Sequence, residues 1–261
     1  MTPFDPRLHD PRPDELAGRV IAITGASSGI GRAVSLACAG RGATVILVGR
    51  NARKLEAVHA EIETAGGPEP TIALLDLEKA LASDYDQLAR AVLERFGHLD
   101  GLLHNAGILG TLSPIEHHDV PTWCRVMHVN VTAAFALTQV LLPALKLSAD
   151  ASILFTASSV GRRGRAYWGA YAVSKFAVEG LVQVLAAELE GISAVRVNAL
   201  NPGPARTQMR RQAYPAEDLN TLPLPESLTA PYLALLGPAS RAITGMSFDG
   251  QPAAAQPPGT S

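Results

Sequence analysis

Arg19-Val-Ile-Ala-Ile-Thr24-Gly25-Ala-Ser27-Ser28-Gly29-Ile30-Gly31 is the stretch that decides the fold. Arg19–Thr24 has the apolar, β-branched run of a buried strand, and Ile30–Arg41 has the apolar spacing of a helix. Gly25, Gly29 and Gly31 fill the turn between them. Backbone N–H groups at a helix N-terminus point at an anion, and glycines let phosphate oxygens approach with no Cβ in the way. The spacing is Gly-x-x-x-Gly-x-Gly, not the common Gly-x-Gly-x-x-Gly. Taken alone it reads equally as a tight strand–helix turn; its place in the first βα unit favours a pyrophosphate cradle.

Outward from this unit, short β-branched runs alternate with helical stretches. Strands are predicted at Arg19–Thr24, Thr44–Val48, Thr71–Leu75, Asp100–His104, Ser152–Thr156, Val195–Ala199 and Met246–Phe248. Helices are predicted at Ile30–Arg41, Arg53–Thr64, Tyr85–Phe96, Val129–Leu145 and Tyr171–Leu189. Continuously apolar strands such as Val45–Val48 suit a parallel sheet covered on both faces. Nothing in the alternation marks a second domain. Residues 1–18, with Pro3, Pro6, Pro11 and Pro13, read as an extended N-terminal arm. Residues 251–261 read as a flexible tail, which leaves 19–250 as the domain. Pro204–Pro231 is irregular and reads as a mobile lid.

The 261 residues are 47% apolar with a formal charge of −2. That supplies a sizeable core and gives no basic face for nucleic acid. Two cysteines, Cys38 and Cys124, lack pairing or metal-ligand spacing and fit a reduced compartment. The first residues lack the apolar stretch of a signal peptide, and no run reaches the roughly 18 apolar residues of a membrane span. A cytoplasmic protein with no nucleic-acid or membrane partner is the expectation. Adjacent His117 and His118 diverge without a supporting carboxylate or cysteine, so no metal is expected.

Cofactor choice is read at the end of the second strand. An acidic residue there would take the ribose 2′-hydroxyl and repel a 2′-phosphate, but Gly49 and Arg50 occupy that place. A guanidinium binds phosphate through paired, charge-assisted hydrogen bonds, so NADP(H) is preferred, with NAD(H) as the alternative. Asp76, after the third strand, is placed to meet the adenine amino group. Asn105-Ala106-Gly107 leaves room for the adenosine half at the end of the fourth strand.

Tyr171 and Lys175 lie four apart on a helix and so share a face. A free tyrosine near pKa 10 exchanges protons poorly at neutral pH; an ammonium beside it favours the phenolate and lowers that pKa. Ser158 follows the fifth strand, at the sheet edge where ligands of open α/β folds bind, and can hydrogen-bond a substrate oxygen. Asn130 can hold a water that links Lys175 to solvent. A lone Tyr-x-x-x-Lys arises readily by chance; the convergence of all four residues is what carries the signal.

Thr24–Gly31, Asp76, Asn105–Gly107, Asn130, Ser158, Tyr171, Lys175, Asn201-Pro202-Gly203 and Thr207 together resemble the short-chain dehydrogenase/reductase family over about residues 18–250. Leu103–Gly110, Ser158–Arg162, Trp168–Ala172 and Thr244–Asp249 resemble its YciK-type bacterial branch. The resemblance implies a single Rossmann-like, doubly wound parallel sheet of seven strands in the order 3-2-1-4-5-6-7, with helices on both faces. It implies hydride transfer with Tyr171 as acid/base, Lys175 on the nicotinamide ribose, Ser158 orienting substrate and Asn130 supporting the proton relay. Cofactor contacts are implied for Gly25, Ser27, Ser28, Gly29, Ile30, Gly31, Arg50, Asp76, Leu77, Asn105, Ala106, Gly107, Tyr171, Lys175, Pro202, Gly203 and Thr207. Two departures stand out. His104 replaces a second asparagine before Asn105, and Ser28 replaces a basic residue frequent in NADP-preferring relatives.

The functional expectation is an NADP(H)-dependent oxidoreductase acting on a small carbonyl or alcohol. A dinucleotide-binding sensor or assembly protein with vestigial catalysis is the competing reading. Arg162, Arg163, Arg165, Arg206, Arg210 and Arg211 should border the mouth of the site, where they either attract an acidic substrate or form a solvated, ion-paired loop. Helices Val129–Leu145 and Tyr171–Leu189 carry more apolar surface than one core face needs, which points to a homodimer or homotetramer.

Overall fold

The structure, a computed structural model, describes residues 4–252. Seven strands are present: β1 (Val20–Thr24), β2 (Thr44–Gly49), β3 (Thr71–Leu74), β4 (Gly101–His104), β5 (Ser152–Thr156), β6 (Arg196–Asn201) and β7 (Ser247–Asp249). They form one parallel sheet in the order β3-β2-β1-β4-β5-β6-β7. The eight α-helices are α1 (Gly29–Ala39), α2 (Ala52–Thr64), α3 (Ala82–Phe96), α4 (Val120–Met127), α5 (Ala133–Lys146), α6 (Gly169–Leu189), α7 (Gln208–Ala213) and α8 (Ala230–Leu236).

The period-2 alternation of each strand feeds two separate cores. Val20 and Ala22 of β1 and Ile46 and Val48 of β2 pack with Tyr85 of α3, Leu137 of α5 and Val182 of α6. Ile21, Ile23, Val45 and Leu47, which alternate with them, face Val34 of α1, Leu55 of α2 and Tyr232 of α8. The strand order reverses between β1 and β4, which opens a crevice at their carboxyl ends. The glycine turn and Asn105 both sit there.

Two expectations need correction. The arm is not extended: Pro6–Leu8 forms a 3-10 turn, Phe4 packs edge-on to Phe248 at 5.7 Å, and Leu16 is fully buried in the second core. The prolines shape turns, and the apolar residues between them seal the floor of the sheet. Helix Val129–Leu145 begins nine residues earlier: Val120–Lys146 runs as one helix, interrupted at His128–Thr132 by a π turn. In that 27-residue helix and in α6, only 44% and 50% of the most apolar stretch is buried. Of the tail expected at 251–261, residues 253–261 lie outside the described residues.

Candidate active site

The phosphate cradle is shaped by what a side chain would fill. A Cβ on Gly31 would run into the Gly25 carbonyl oxygen, and one on Gly25 would sit 3.0 Å from the Ala106 Cα. Gly25 and Gly29 also hold positive φ, +68° and +54°, which a side chain would strain. Ser28 precedes α1 without capping it, and no carboxylate stands in the first turn. The first N–H groups of α1 therefore face the crevice with no side chain competing for them. Thr207, the N-cap of α7, lies against Gly29: a Cβ there would come 3.5 Å from its Cγ2. Ser27 is partly exposed at this turn, and Ile30 turns inward onto the second core.

Thr24 and Asn105 tie the crevice walls together. The Thr24 hydroxyl accepts from the Asn105 and Ala106 amides at 3.0 and 3.1 Å and donates to the Leu103 carbonyl at 3.2 Å. Asn105 donates to the Thr24 carbonyl at 3.2 Å. His104 is buried, stacked on Phe155 at 4.5 Å and bonded to the Thr138 hydroxyl at 2.8 Å. Burial pushes its imidazole down to about 3, so it stays neutral.

At the adenosine end, Arg50 is exposed, 3.8 Å from Asp76 and 3.4 Å from Glu78. Arg125 of α4 holds Glu78 from the other side with two hydrogen bonds of 2.8 and 2.9 Å. Asp76 also accepts the Glu78 amide at 3.2 Å, and Leu77 is buried in the first core. Pro202 and Gly203 follow β6, where Gln251 donates to the Pro202 carbonyl at 2.7 Å.

Tyr171, Lys175 and Ser158 converge at the carboxyl ends of β5 and α6's first turns. Tyr171 and Lys175 are both buried, and the Ser158 hydroxyl acts on the phenol to lower its pKa. Lys175 Nζ donates to the Thr156 carbonyl at 2.7 Å and lies 5.6 Å from the centre of the Tyr171 ring. Gly161 makes the approach possible, since a Cβ there would meet the Lys175 backbone at 2.8 Å.

Burial works against the expected acidification of Tyr171. It pushes the phenol up to about 12, opposed by the Ser158 hydroxyl. Burial also lowers Lys175 to about 8, against the pull of Glu179 one turn further along α6. The ammonium is turned to the Thr156 carbonyl, and burial is the largest influence on the phenol. Glu179, which accepts from Arg162 at 3.0 Å and from Ser247 at 2.9 Å, was not singled out in the sequence; an acidic residue four after the lysine was its only signal.

Asn130 sits inside the π turn. Its amide donates to the Ile108 carbonyl and the Ser174 hydroxyl, both at 3.0 Å, and its carbonyl oxygen accepts the Ile108 amide at 2.8 Å. Both amide hydrogens are thus engaged, and the side chain fastens the helix to the β4 loop. A π turn breaks the i→i+4 ladder and marks functional positions in helices; no residue pattern announced it.

Leu109, Val160 and Tyr171 belong to a third, small apolar cluster, with Leu112, Trp168, Met209 and Ala213 packed against it. It roofs the phenol with residues of the post-β4 loop, the post-β5 turn and α7. Tyr167, at φ +73°, is the one non-glycine residue with positive φ among the described residues. Its carbonyl accepts the Ser113 amide at 3.0 Å, which joins the two loops beside the phenol. Of the six arginines expected at the mouth, Arg162 pairs with Glu179 and Asp249, and Arg210 pairs with Glu217. His118 is engaged with Ser113 at 3.0 Å, away from His117's exposed side chain.

Comparison with known proteins agrees with this geometry. The sequence profile described as short chain dehydrogenase matches residues 19–218. The chain is 48% identical over 244 residues to the uncharacterized oxidoreductase YciK of Escherichia coli K12, covering 94% of this chain and 96% of that one. A short chain dehydrogenase structure from Pseudomonas syringae superposes with a TM-score of 0.92 at 53% identity, over 95% of this chain and 99% of that one. One from Escherichia coli CFT073, complexed with NADPH, superposes with a TM-score of 0.90 at 50% identity, over 93% and 100%.

Proposed function

The chain belongs to the short-chain dehydrogenase family, and from that premise we propose that it is an NADP(H)-dependent oxidoreductase interconverting a small carbonyl compound and its alcohol. The observation that carries the reading is the meeting of Tyr171, Ser158 and Lys175 at the same carboxyl edge of the sheet as the uncapped N-terminus of α1. The bound nicotinamide supplies or accepts the hydride. Ser158 orients the substrate oxygen, and Tyr171 gives that oxygen its proton in reduction or removes it in oxidation. Lys175 holds the nicotinamide ribose and, with the positive charge of an oxidised nicotinamide, works against the burial that raises the phenol. Asn130 supports the relay indirectly, its side chain being engaged with Ile108 and Ser174, the latter one residue from Lys175.

Gly25–Gly31, Asn105–Gly107, Pro202, Gly203 and Thr207 form the proposed cradle, and Asp76 and Leu77 face the adenine. Arg50 is the proposed 2′-phosphate reader; its contacts with Asp76 and Glu78 are long, so it can turn to an anion. The NADPH bound by the half-identical E. coli protein supports that choice. Met209 and Ala213 place α7 over the site, which suits Pro204–Pro231 as a lid. Val173, Phe176 and Val184 on one stripe of α6 and Phe135 on α5 are exposed, which suits a homodimer or homotetramer. Two unpaired cysteines fit a cytoplasmic setting.

The test is NADPH oxidation with ketones, aldehydes, 3-oxoacyl thioesters and sugars, alongside titration with NADPH and NADH. Turnover with tighter NADPH binding is expected, and Arg50→Asp should shift preference toward NADH by about tenfold or more. Cofactor binding with no turnover across the panel would favour a sensor with vestigial chemistry.

A further inference from the structure

The apolar roof over Tyr171 ends in an unneutralised cation. Trp168 stands beside the phenol, with ring centres 5.8 Å apart, and Tyr214 at the end of α7 stands 5.9 Å from Trp168. The Arg165 guanidinium lies over both outer rings, 5.7 Å from Trp168 and 5.5 Å from Tyr214, and its Nη1 donates to the Tyr214 hydroxyl. A path therefore runs from the reacting phenol, along an indole face, to a guanidinium at the rim.

The arginines around the mouth are not equivalent. Arg162 and Arg210 are matched by carboxylates, and Arg206 donates to the Asn220 and Leu222 carbonyls. Arg165 has no carboxylate or carbonyl partner among the described residues; its one polar contact is the neutral Tyr214 phenol. Since only Nη1 is used, the Nε–Nη2 edge, which takes a carboxylate through two parallel hydrogen bonds, is left available. Stacking on two rings fixes the guanidinium before any ligand arrives, so less side-chain freedom is lost on binding. A second guanidinium, Arg210, lies 3.8 Å from the Tyr214 ring; its pairing with Glu217 leaves Arg165 as the unmatched charge on this ring.

Resting on the oxidoreductase reading of the same site, we infer that the substrate carries a carboxylate at the end of an apolar body remote from its carbonyl. The carbonyl meets Tyr171 and Ser158, the body lies along Trp168, Leu109 and Met209, and the carboxylate takes the open edge of Arg165. A neutral substrate of the same body would leave that edge without a partner.

The test uses 6-acetyl-2-naphthoate and its methyl ester, one apolar body with and without charge, titrated calorimetrically into NADP-loaded wild-type and Tyr171→Phe protein. The acid should bind about tenfold more tightly than the ester. Arg165→Gln should erase that gap, while Arg163→Gln, at an exposed neighbour, should leave it. Equal affinities, a tighter ester, a gap that survives Arg165→Gln, or binding of neither compound would overturn the inference. Turnover is read separately: a preserved gap with no NADPH oxidation by the wild-type protein, with this acid or across the carbonyl panel, would sink the oxidoreductase reading and leave the anion site standing.

Discussion

The two ends of the same sheet are finished in opposite ways. At the amino end, the starts of β1, β4, β5 and β6 are stitched by buried charge. Asp150 takes Arg19, Arg196 and Arg241, while Asp100 accepts the Val20 amide at 2.8 Å and the Ser148 hydroxyl at 2.6 Å. Arg196, only 3% exposed, also reaches the Ser240 hydroxyl at 3.0 Å and the Gly237 carbonyl at 2.6 Å. At the carboxyl end, the strands stop at glycines, Thr24, Asn105 and Ser158, and α1 presents uncapped amides. One end ties its charged groups to each other, with Arg19 Nε left without a partner among the described residues; the other leaves backbone donors for a ligand to satisfy. Stability is concentrated at the first end and chemistry at the second, as expected when binding sites are built on the loops of a rigid scaffold.

That division predicts mutational effects that separate cleanly. Tyr171→Phe should lower turnover by about 10²–10⁴-fold while the melting temperature and NADPH affinity stay near wild type. Asp150→Ala should do the reverse. It strips the shared partner from three guanidiniums and should cost about 3–5 kcal/mol in denaturant unfolding, with kcat per folded molecule retained. If Asp150→Ala instead abolished kcat in fully folded protein, the two ends would be coupled and the comparison would fail.

Lys175 sharpens the contrast, because it is a buried charge whose native partner is a carbonyl. Its lowered pKa means that the unfolded chain binds more protons between about pH 8 and the ordinary lysine value. Stability from this group therefore rises as pH increases through that window, and the charged form is a burden below it. Lys175→Met should raise unfolding stability at neutral pH by about 1–3 kcal/mol, yet abolish turnover and weaken cofactor binding. A destabilised variant would mean that the Thr156 hydrogen bond outweighs the desolvation.

Glu179 gives the smallest expected effect. It is the carboxylate acting on Lys175, with Arg162 partly neutralising it; Tyr171, Ser158 and the Thr156 carbonyl complete the polar surroundings. In the wild type, kcat/KM for reduction should fall as pH rises through about 8, where Lys175 loses its proton. Glu179→Gln should move that fall to lower pH by about half a unit to one unit, because the ammonium loses an attraction. An unchanged profile would assign Glu179 to the Arg162–Ser247 contact alone.

The sheet is legible because β1 and β2 are short, β-branched, continuously apolar runs bounded by turn residues, and parallel burial leaves them few polar interruptions. Strand edges shifted by a residue or two, as at Val195–Ala199 against the observed Arg196–Asn201. The proposed catalytic group is legible because Tyr171 and Lys175 share a helix face and Ser158 follows a strand. What stayed hidden depended on tertiary surroundings. The pKa of Tyr171 is set by burial among Leu109 and Met209, residues distant in sequence, and not by the lysine one turn along its helix. The first eighteen residues read as loose because prolines dominate them, yet Leu16 and Phe4 find apolar partners that only the folded chain supplies. α4, α7 and the π turn are too short or too irregular to leave a periodic trace.

The central claim is that Tyr171 becomes an effective acid/base only with the cofactor in place. It is tested most directly by ultraviolet titration of its phenolate, taken as wild type minus Tyr171→Phe, with and without NADP. The free protein should ionise this phenol near pH 12, and saturation with oxidised cofactor should lower the midpoint by about two units or more. A midpoint that stays put when NADP is bound would contradict the account.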